Sequence, residues 1–282
     1  GFATFGGVVV VSANDLLTLF LGLELATIPM YALVAWNKRD SEGTEAAIKY
    51  ILMGSVATAF ELFGFSYLYG FAGHLTFPEI TSALQTNQAS PLIWISVLFI
   101  ISGIGFKMTL FPFHLWAPDV YEGAPTPVTA ILSVTSKSIA IAFLTVLVFG
   151  PLNAIHQEIV PFLALLAGIT LLAGNLGALS QSKLRRFMAF SSISQAGYIL
   201  IALLGNSPEG KYAIIYYLFL YTFSNYLAFF IFSTISKDQS ETFISLNGLS
   251  EKSKFLAIAL LIALMSLAGI PPLAGFFGKL QI

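Results

Sequence analysis

Cysteine is missing altogether from the 282 residues. The chain therefore forms no disulfide and supplies no thiolate to zinc or to an iron–sulfur cluster. Charge is nearly as scarce. Asp, Glu, Lys and Arg make up 10% of the chain, against roughly 25% in soluble domains. A net charge of −1 offers no basic surface for nucleic-acid phosphates, so no nucleic-acid partner is expected. No initiator methionine or basic leader precedes the first apolar run, so no signal peptide is read. What is abundant is apolar: 57% hydrophobic residues, 14% aromatic, and a mean hydropathy of +0.85. That excludes a soluble globular enzyme. It also excludes a disordered chain, which needs low hydrophobicity and high charge. An integral membrane protein remains, with the lipid bilayer as its first partner.

A spanning helix takes about 20 mostly apolar residues. Runs of that kind cover 14–36, 46–73, 91–116, 126–150, 158–180, 187–205, 211–236 and 254–282. With the half-span that opens the chain they make eight or nine helices. Apolar runs reach both ends, so the sequence reads as an internal piece of a longer protein. Barrel strands alternate over ~10 residues, unlike these runs, and hydrocarbon gives an open backbone no hydrogen-bond partner. The expected fold class is all-α, a polytopic transmembrane helical bundle.

Alternate loops lie on opposite sides. Loops 37–45, 117–125, 181–186 and 237–253 carry Lys38, Arg39, Lys183, Arg185, Arg186, Lys237 and Lys252, with Lys254 at the edge, while the other set has only Lys211. The positive-inside rule assigns the first set to the cytoplasm or its organellar equivalent. A bacterial inner membrane is the expected location.

Four lysines fall inside spans: Lys49, Lys107, Lys137 and Lys279, together with Glu24 and Glu61. Each charge at the bilayer centre costs about 2.5–3.5 kcal/mol on insertion scales. Such groups persist when partners or water lower that cost, and usually because the charge is used. Glu24, Glu61, Lys107 and Lys137 are near the centres of their spans. Lys49 is in the first turn after a loop, within reach of the interface. Glu61 follows Lys49 by 12 residues, about 18 Å along a helix and ~120° around it, so each needs a partner on another helix. A buried Lys loses affinity for its proton by desolvation and regains it beside a carboxylate. A midplane row of Lys and Glu therefore suits a proton relay. It suits Na⁺ less well, because hard cations want several oxygen ligands. No nucleophile–base set and no phosphate cradle accompany the row. Of the three histidines, only His114 is placed to join it.

Two spans are interrupted by proline. In one, Lys107 precedes Pro112, Pro118, Pro125 and Pro127; in the other, Pro271 and Pro272 precede Lys279. Proline removes a backbone hydrogen bond and kinks a helix. At membrane depth the freed carbonyls are tolerated only beside protein or water. The breaks fall at the same place in two successive five-helix units, the pointer to an inverted-repeat transporter. The expected domains are a first antiporter-like repeat over 1–150, starting mid-helix, and a second, inverted repeat over 151–282, truncated after its broken helix.

The stretch FPFHLWAPDVYEGAPTPV at 111–128 resembles the loop signature of the N-subunit family of respiratory complex I, NADH-quinone oxidoreductase. Shorter pieces agree along the chain: GLEL at 22–25, EAAIKY at 45–50, SVTSK at 133–137, GNL at 174–176, SSISQAGY at 191–198 and GIPPLAGFFGK at 269–279. Family members are longer, and the chain corresponds to the end of their fourth helix through most of their twelfth. The resemblance implies an antiporter-like, proton-translocating subunit of the membrane arm, packed against other membrane-arm subunits. It implies no redox cofactor in this chain; flavin, iron–sulfur clusters and quinone belong to other subunits. Carried over by position, Glu24 and Lys107 match the family's Glu–Lys pair, Lys137 its central Lys, and Lys279 the Lys on the second broken helix. Lys49 matches a further family Lys. Two departures stand out. Many relatives have His where Gln195 stands, and Gln does not titrate. Glu61 is not a general family feature and reads as an extra relay carboxylate or a local partner for Lys. The expected mechanism has a proton enter from the cytoplasmic side, rest at Lys137 and move to Lys279 through water, with Glu24–Lys107 as the switch. The rival readings are a subunit of a cation/proton antiporter or membrane-bound hydrogenase complex, and a standalone secondary transporter.

Overall fold

A computed structural model describes residues 1–37, 40–86, 90–235 and 241–282. The expected loop cations Lys38, Arg39 and Lys237 lie outside the described residues. The helices are α1 (Phe2–Ser12), α2 (Leu16–Val34), α3 (Ser41–Ala72), α4 (Phe77–Thr86), α5 (Pro91–Met108), α6 (Trp116–Gly123), α7 (Thr126–Ile131), α8 (Lys137–Phe149), α9 (His156–Leu179), α10 (Leu184–Ala202), α11 (Pro208–Ile235), α12 (Leu249–Lys252), α13 (Lys254–Ala268) and α14 (Ala274–Gln281). Among the described residues no strand forms, and six helical stretches are long and apolar enough to cross a membrane. The architecture is the expected all-α multi-pass bundle.

Polarity is turned inside out relative to a soluble domain. Leu52, Phe63, Leu172, Leu179 and Phe230 are exposed, while Glu61, Lys107, Lys137, Gln195 and Asn225 are buried. In water, so much exposed apolar surface would drive association; against lipid it needs no cover. α10 is as long as α2 but more polar, and it turns Ser192, Ser194 and Gln195 inward.

The span expected at 91–116 is shorter than its apolar run. α5 stops at Met108, residues 109–115 leave the helix, and residues 117–123, expected as loop, are helical in α6. Pro112 is the cause. Continued helix would drive its ring into the Met108 carbonyl and force Phe111 into a conformation that a following proline disfavours. Pro118 is harmless in the first turn of α6, where backbone N–H groups have no helical partner anyway. The second break follows the expected pattern, with α13 ending at Ala268 and helix resuming at Ala274.

Both breaks use one cap. Thr109 and Gly269 adopt the left-handed conformation at φ 62° and φ 81°. The next N–H then reaches back five residues: Leu110 to the Gly105 carbonyl at 2.8 Å, Ile270 to the Met265 carbonyl at 3.0 Å. This satisfies carbonyls that the helix end would otherwise orphan. Gly269 adopts such a backbone freely. A β-branched threonine does so only where its surroundings over-determine it. Between α7 and α8 a five-residue π-turn, Leu132–Ser136, brings in Lys137.

Ion pairs tie four loop regions together at one end. Lys49 pairs with Glu45 at 2.8 Å and Asp119 at 3.1 Å, and Arg186 with Asp119 and Glu122, both at 2.8 Å. Lys183 pairs with Glu122, and Arg185 with Glu241 at 3.2 Å. Each of the four loops assigned to one side contributes, so they do share a side. Burial works against the Asp119 and Glu122 carboxylates. Hydrogen bonds and charge from Arg186, with Lys49 for Asp119 and Lys183 for Glu122, nevertheless hold both below the usual carboxylate range.

α3 and α5 approach through glycine. A Cβ at Gly103 would sit 2.7 Å from the Ala57 carbonyl and from the Glu61 Cβ, and one at Gly64 would sit 2.8 Å from the Ile100 nitrogen.

Two predictions come from this packing. Gly103→Val should destabilise the bundle by about 1–3 kcal/mol through overpacking, read as a lowered midpoint of thermal unfolding in detergent. Because Asp119 and Glu122 bind protons less readily folded than unfolded, their stabilising contribution is complete above the unfolded values. It is lost as pH falls through the folded ones. Unfolding followed from neutral to acid should show this loss below about pH 4, and Asp119→Asn with Glu122→Gln should flatten it.

Candidate functional site

Glu24 lies two turns into α2 and Lys107 in the last turn of α5, so the helix end at Thr109 fixes where the ammonium emerges. Lys107 donates to Glu24, which also accepts from Thr58 Oγ1 at 3.0 Å and Thr27 Oγ1 at 3.4 Å. Glu61 of α3 joins the pair, with Oε2 3.9 Å from Lys107 Nζ. Its side chain is fully buried, and among the described residues neither carboxyl oxygen has a hydrogen-bond partner.

Lys137 begins α8, where the π-turn ends. It is 1% exposed. Nζ donates to Thr109 Oγ1 at 2.8 Å, the Ser192 carbonyl at 2.6 Å and Ser192 Oγ at 2.5 Å. An ammonium has three N–H donors, and here each has an acceptor. The Thr109 ligand comes from the break, two residues beyond Lys107. One short stretch of chain therefore carries both the Glu24 partner and a Lys137 partner.

From Lys137, polar groups continue across α10 and α11. Ser192 Oγ contacts Tyr221 OH at 2.8 Å, and Tyr221 OH donates to the Ser133 carbonyl at 2.9 Å. One turn on, Tyr217 OH donates to Gln195 Oε1, and Gln195 Nε2 donates to the Leu267 carbonyl at 3.0 Å. Leu267 and Ala268 are the last residues of α13 before its break. Lys279 of α14 returns to that break, with Nζ donating to the Ala268 carbonyl at 3.2 Å and lying 4.0 Å from the Tyr198 ring centre.

The structure thus joins Glu24, Lys107 and Glu61 in one cluster, attaches Lys137 to it through Thr109, and sets Lys279 at the far break. Lys49 stands apart in the ion pairs at the charged end, its side chain 44% exposed. His114 is buried in the break segment and stacks on Phe111, and among the described residues its Nδ1 has no hydrogen-bond partner.

A family model described as NADH:quinone oxidoreductase/Mrp antiporter, TM, matches residues 13–282. The chain belongs to this family. Among curated members, NADH-quinone oxidoreductase subunit N of Moorella thermoacetica is 43% identical over 99% of the chain and 59% of its own length. The chain spans about 59% of that relative's length. Among solved structures, a chain of respiratory complex I from Thermus thermophilus matches with a TM-score of 0.84 and 38% identity, over 99% of this chain and 60% of that one. A chain of the Mrp complex from Dietzia sp. matches with a TM-score of 0.90 and 25% identity, over 99% and 52%.

Sequence reasoning passed over Thr109, Tyr217 and Tyr221, and took Ser192 only as part of a motif. For Ser192, Gln195, Tyr217 and Tyr221 a signal existed. They recur three or four residues apart within apolar helices, which puts each pair on one face. Thr109 gave none, since nothing in its identity announces a left-handed backbone.

Thr109→Val deprives the buried ammonium of one acceptor. It should cost about 1–3 kcal/mol of stability, read by thermal unfolding, while Thr109→Ser stays near the parent.

Proposed function

We propose that the chain is a proton-translocating membrane-arm subunit of a bacterial inner-membrane NADH:quinone oxidoreductase, with quinone reduction taking place in other subunits. One observation carries the reading. A fully buried, fully hydrogen-bonded Lys137 lies between a Glu–Lys pair at one helix break and Lys279 at another. Flavin, iron–sulfur clusters and quinone belong to the partner subunits, with this chain carrying none. In the same reading, 1–150 and 151–282 are two inverted repeats, supported by the shared cap at Thr109 and Gly269.

Lys137 holds the proton. While Lys107 is bound to Glu24, its positive charge is compensated. When Lys107 parts from Glu24, the charges around it shift, and positive potential added at Lys137 by that shift favours its neutral form. The same movement displaces Thr109, an acceptor for the Lys137 ammonium. Both effects release the proton toward Ser192 and Tyr221. Tyr hydroxyls accept and donate in turn, and Lys279 receives at the second break. Gln195 contributes orientation: its carbonyl fixes the Tyr217 hydroxyl and its amide holds the Leu267 carbonyl.

Fold likeness does not separate an oxidoreductase subunit from an Mrp-type antiporter subunit, since both neighbours superpose closely. Sequence identity favours the oxidoreductase, at 43% and 38% against 25%.

Lys137→Ala, built into the assembled complex and reconstituted in vesicles with a pH-sensing dye, should lower the protons moved per electron transferred. An unchanged ratio overturns the central role of Lys137.

A further inference from the structure

Glu61 is the buried titratable group that this pathway leaves without a task. The charged and titratable groups facing it are Lys107 from α5 and Glu24 and Tyr31 from α2. Gly103 lets the α5 backbone lie against its stem, so the carboxyl has little room to withdraw. One ammonium compensates one carboxylate. Were both glutamates ionised beside Lys107, the cluster would hold an uncompensated negative charge in an apolar interior, and two carboxyls sharing a site do not both ionise there. Their hydrogen bonds differ sharply. Glu24 accepts from Lys107, Thr58 and Thr27, which favours its charged form. Glu61 accepts nothing from the described residues. The cluster's extra proton therefore sits on Glu61.

We propose that Glu61 is a second proton-carrying carboxyl of the switch, and that Lys107 alternates between Glu24 and Glu61 while one proton passes the other way. In the arrangement described, Glu24 is a carboxylate bound to the Lys107 ammonium and Glu61 is a carboxylic acid. In the alternate arrangement, Glu61 has given up its proton and binds Lys107, and Glu24 has taken one up. One O–H bond breaks at Glu61 and one forms at Glu24. Lys107 keeps its three protons and the net charge is unchanged. The movement is small. Nζ is 3.9 Å from Glu61 Oε2, and a charged N–H···O contact closes at about 2.8 Å, so a shift of about 1 Å exchanges partners. A switch with one carboxylate must leave an ammonium and a carboxylate unpaired in hydrocarbon each time it opens. With Glu61 present the ion pair is exchanged rather than broken.

The inference rests on the proton-translocating reading above, but its test separates the two. The assembled complex is purified as wild type, Glu61→Gln, Glu24→Gln and Glu61→Asp, with subunit content checked first. Mutant-minus-wild-type infrared spectra are recorded in H₂O and D₂O. Glu61→Gln should remove a deuterium-sensitive protonated-carboxyl band. Glu24→Gln should remove that same band, because Glu61 then becomes the ionised partner of Lys107, and Glu61→Asp should keep one. In vesicles, Glu61→Gln should slow proton pumping about tenfold, the cost of about 1.4 kcal/mol at one step. If Glu61→Gln removes only an ionised-carboxylate band, or pumps at the wild-type rate, the inference is wrong and the Lys137 pathway stands. If Glu61→Gln does not assemble, a protonated band that survives Glu24→Gln overturns it equally. A Lys137→Ala complex with unchanged pumping sinks the pathway while leaving the infrared result to be read on its own.

Discussion

The hydrogen bonding of the Lys137 ammonium is the constraint on which the rest of the site depends. A charge at the centre of a bilayer is tolerated only where protein or water replaces its hydration. Here three acceptors do so, and they come from two places far apart in sequence, Thr109 and Ser192. Thr109 is available because α5 ends where it does. Ser192 is available because α10 turns its polar face inward. The π-turn adds one residue just before Lys137 and so sets which way the ammonium points from α8. A shift in any of the three elements changes the solvation of that proton, which is what the proposed pump requires of its central group.

The two helix breaks are built alike and used differently. Each stops a helix with a left-handed residue and returns the next N–H five residues back. In the first break the lysine precedes the cap: Lys107 is on the last turn of α5. In the second it follows: Lys279 is on α14 and reaches back to the Ala268 carbonyl. The first cap is also a ligand, because Thr109 brings a hydroxyl that Gly269 lacks. A left-handed β-branched residue is strained by about 1–3 kcal/mol. It persists here beside a buried ammonium that needs its oxygen.

Much of this was legible in the sequence. Scarce charge and long apolar runs gave the class, and proline gave both breaks. The rule that a buried charge needs a partner pointed to Glu24, Lys107, Lys137 and Lys279. What could not be read depends on neighbours distant in sequence. Nothing local pairs Glu61 with Lys107, 46 residues on, and nothing local separates Lys49 from the buried row. That separation follows from Asp119, which sits in a stretch expected as loop but folded as helix α6. Apolarity set the 91–116 span about two turns too long, because Phe111, Phe113 and Leu115 are as apolar outside a helix as within one.

In the proposed relay, the route from Lys137 to Lys279 crosses two rungs, Ser192 with Tyr221 and Gln195 with Tyr217, one turn apart on the same two helices. The first rung is all hydroxyl and can pass a proton by donating and accepting in sequence. The second has an amide at its centre. An amide oxygen accepts and an amide nitrogen donates, but no proton passes between them without an unfavourable tautomer, so Gln195 orients rather than conducts. In that relay the step to Lys279 falls to the Tyr217 hydroxyl, since the Leu267 and Ala268 carbonyls at the α13 break already accept from Gln195 and Lys279. Pro271 and Pro272 keep helix from resuming before Ala274, and Lys279 on α14 then folds back to the Ala268 carbonyl, so the second break brings the proposed acceptor to the end of α13.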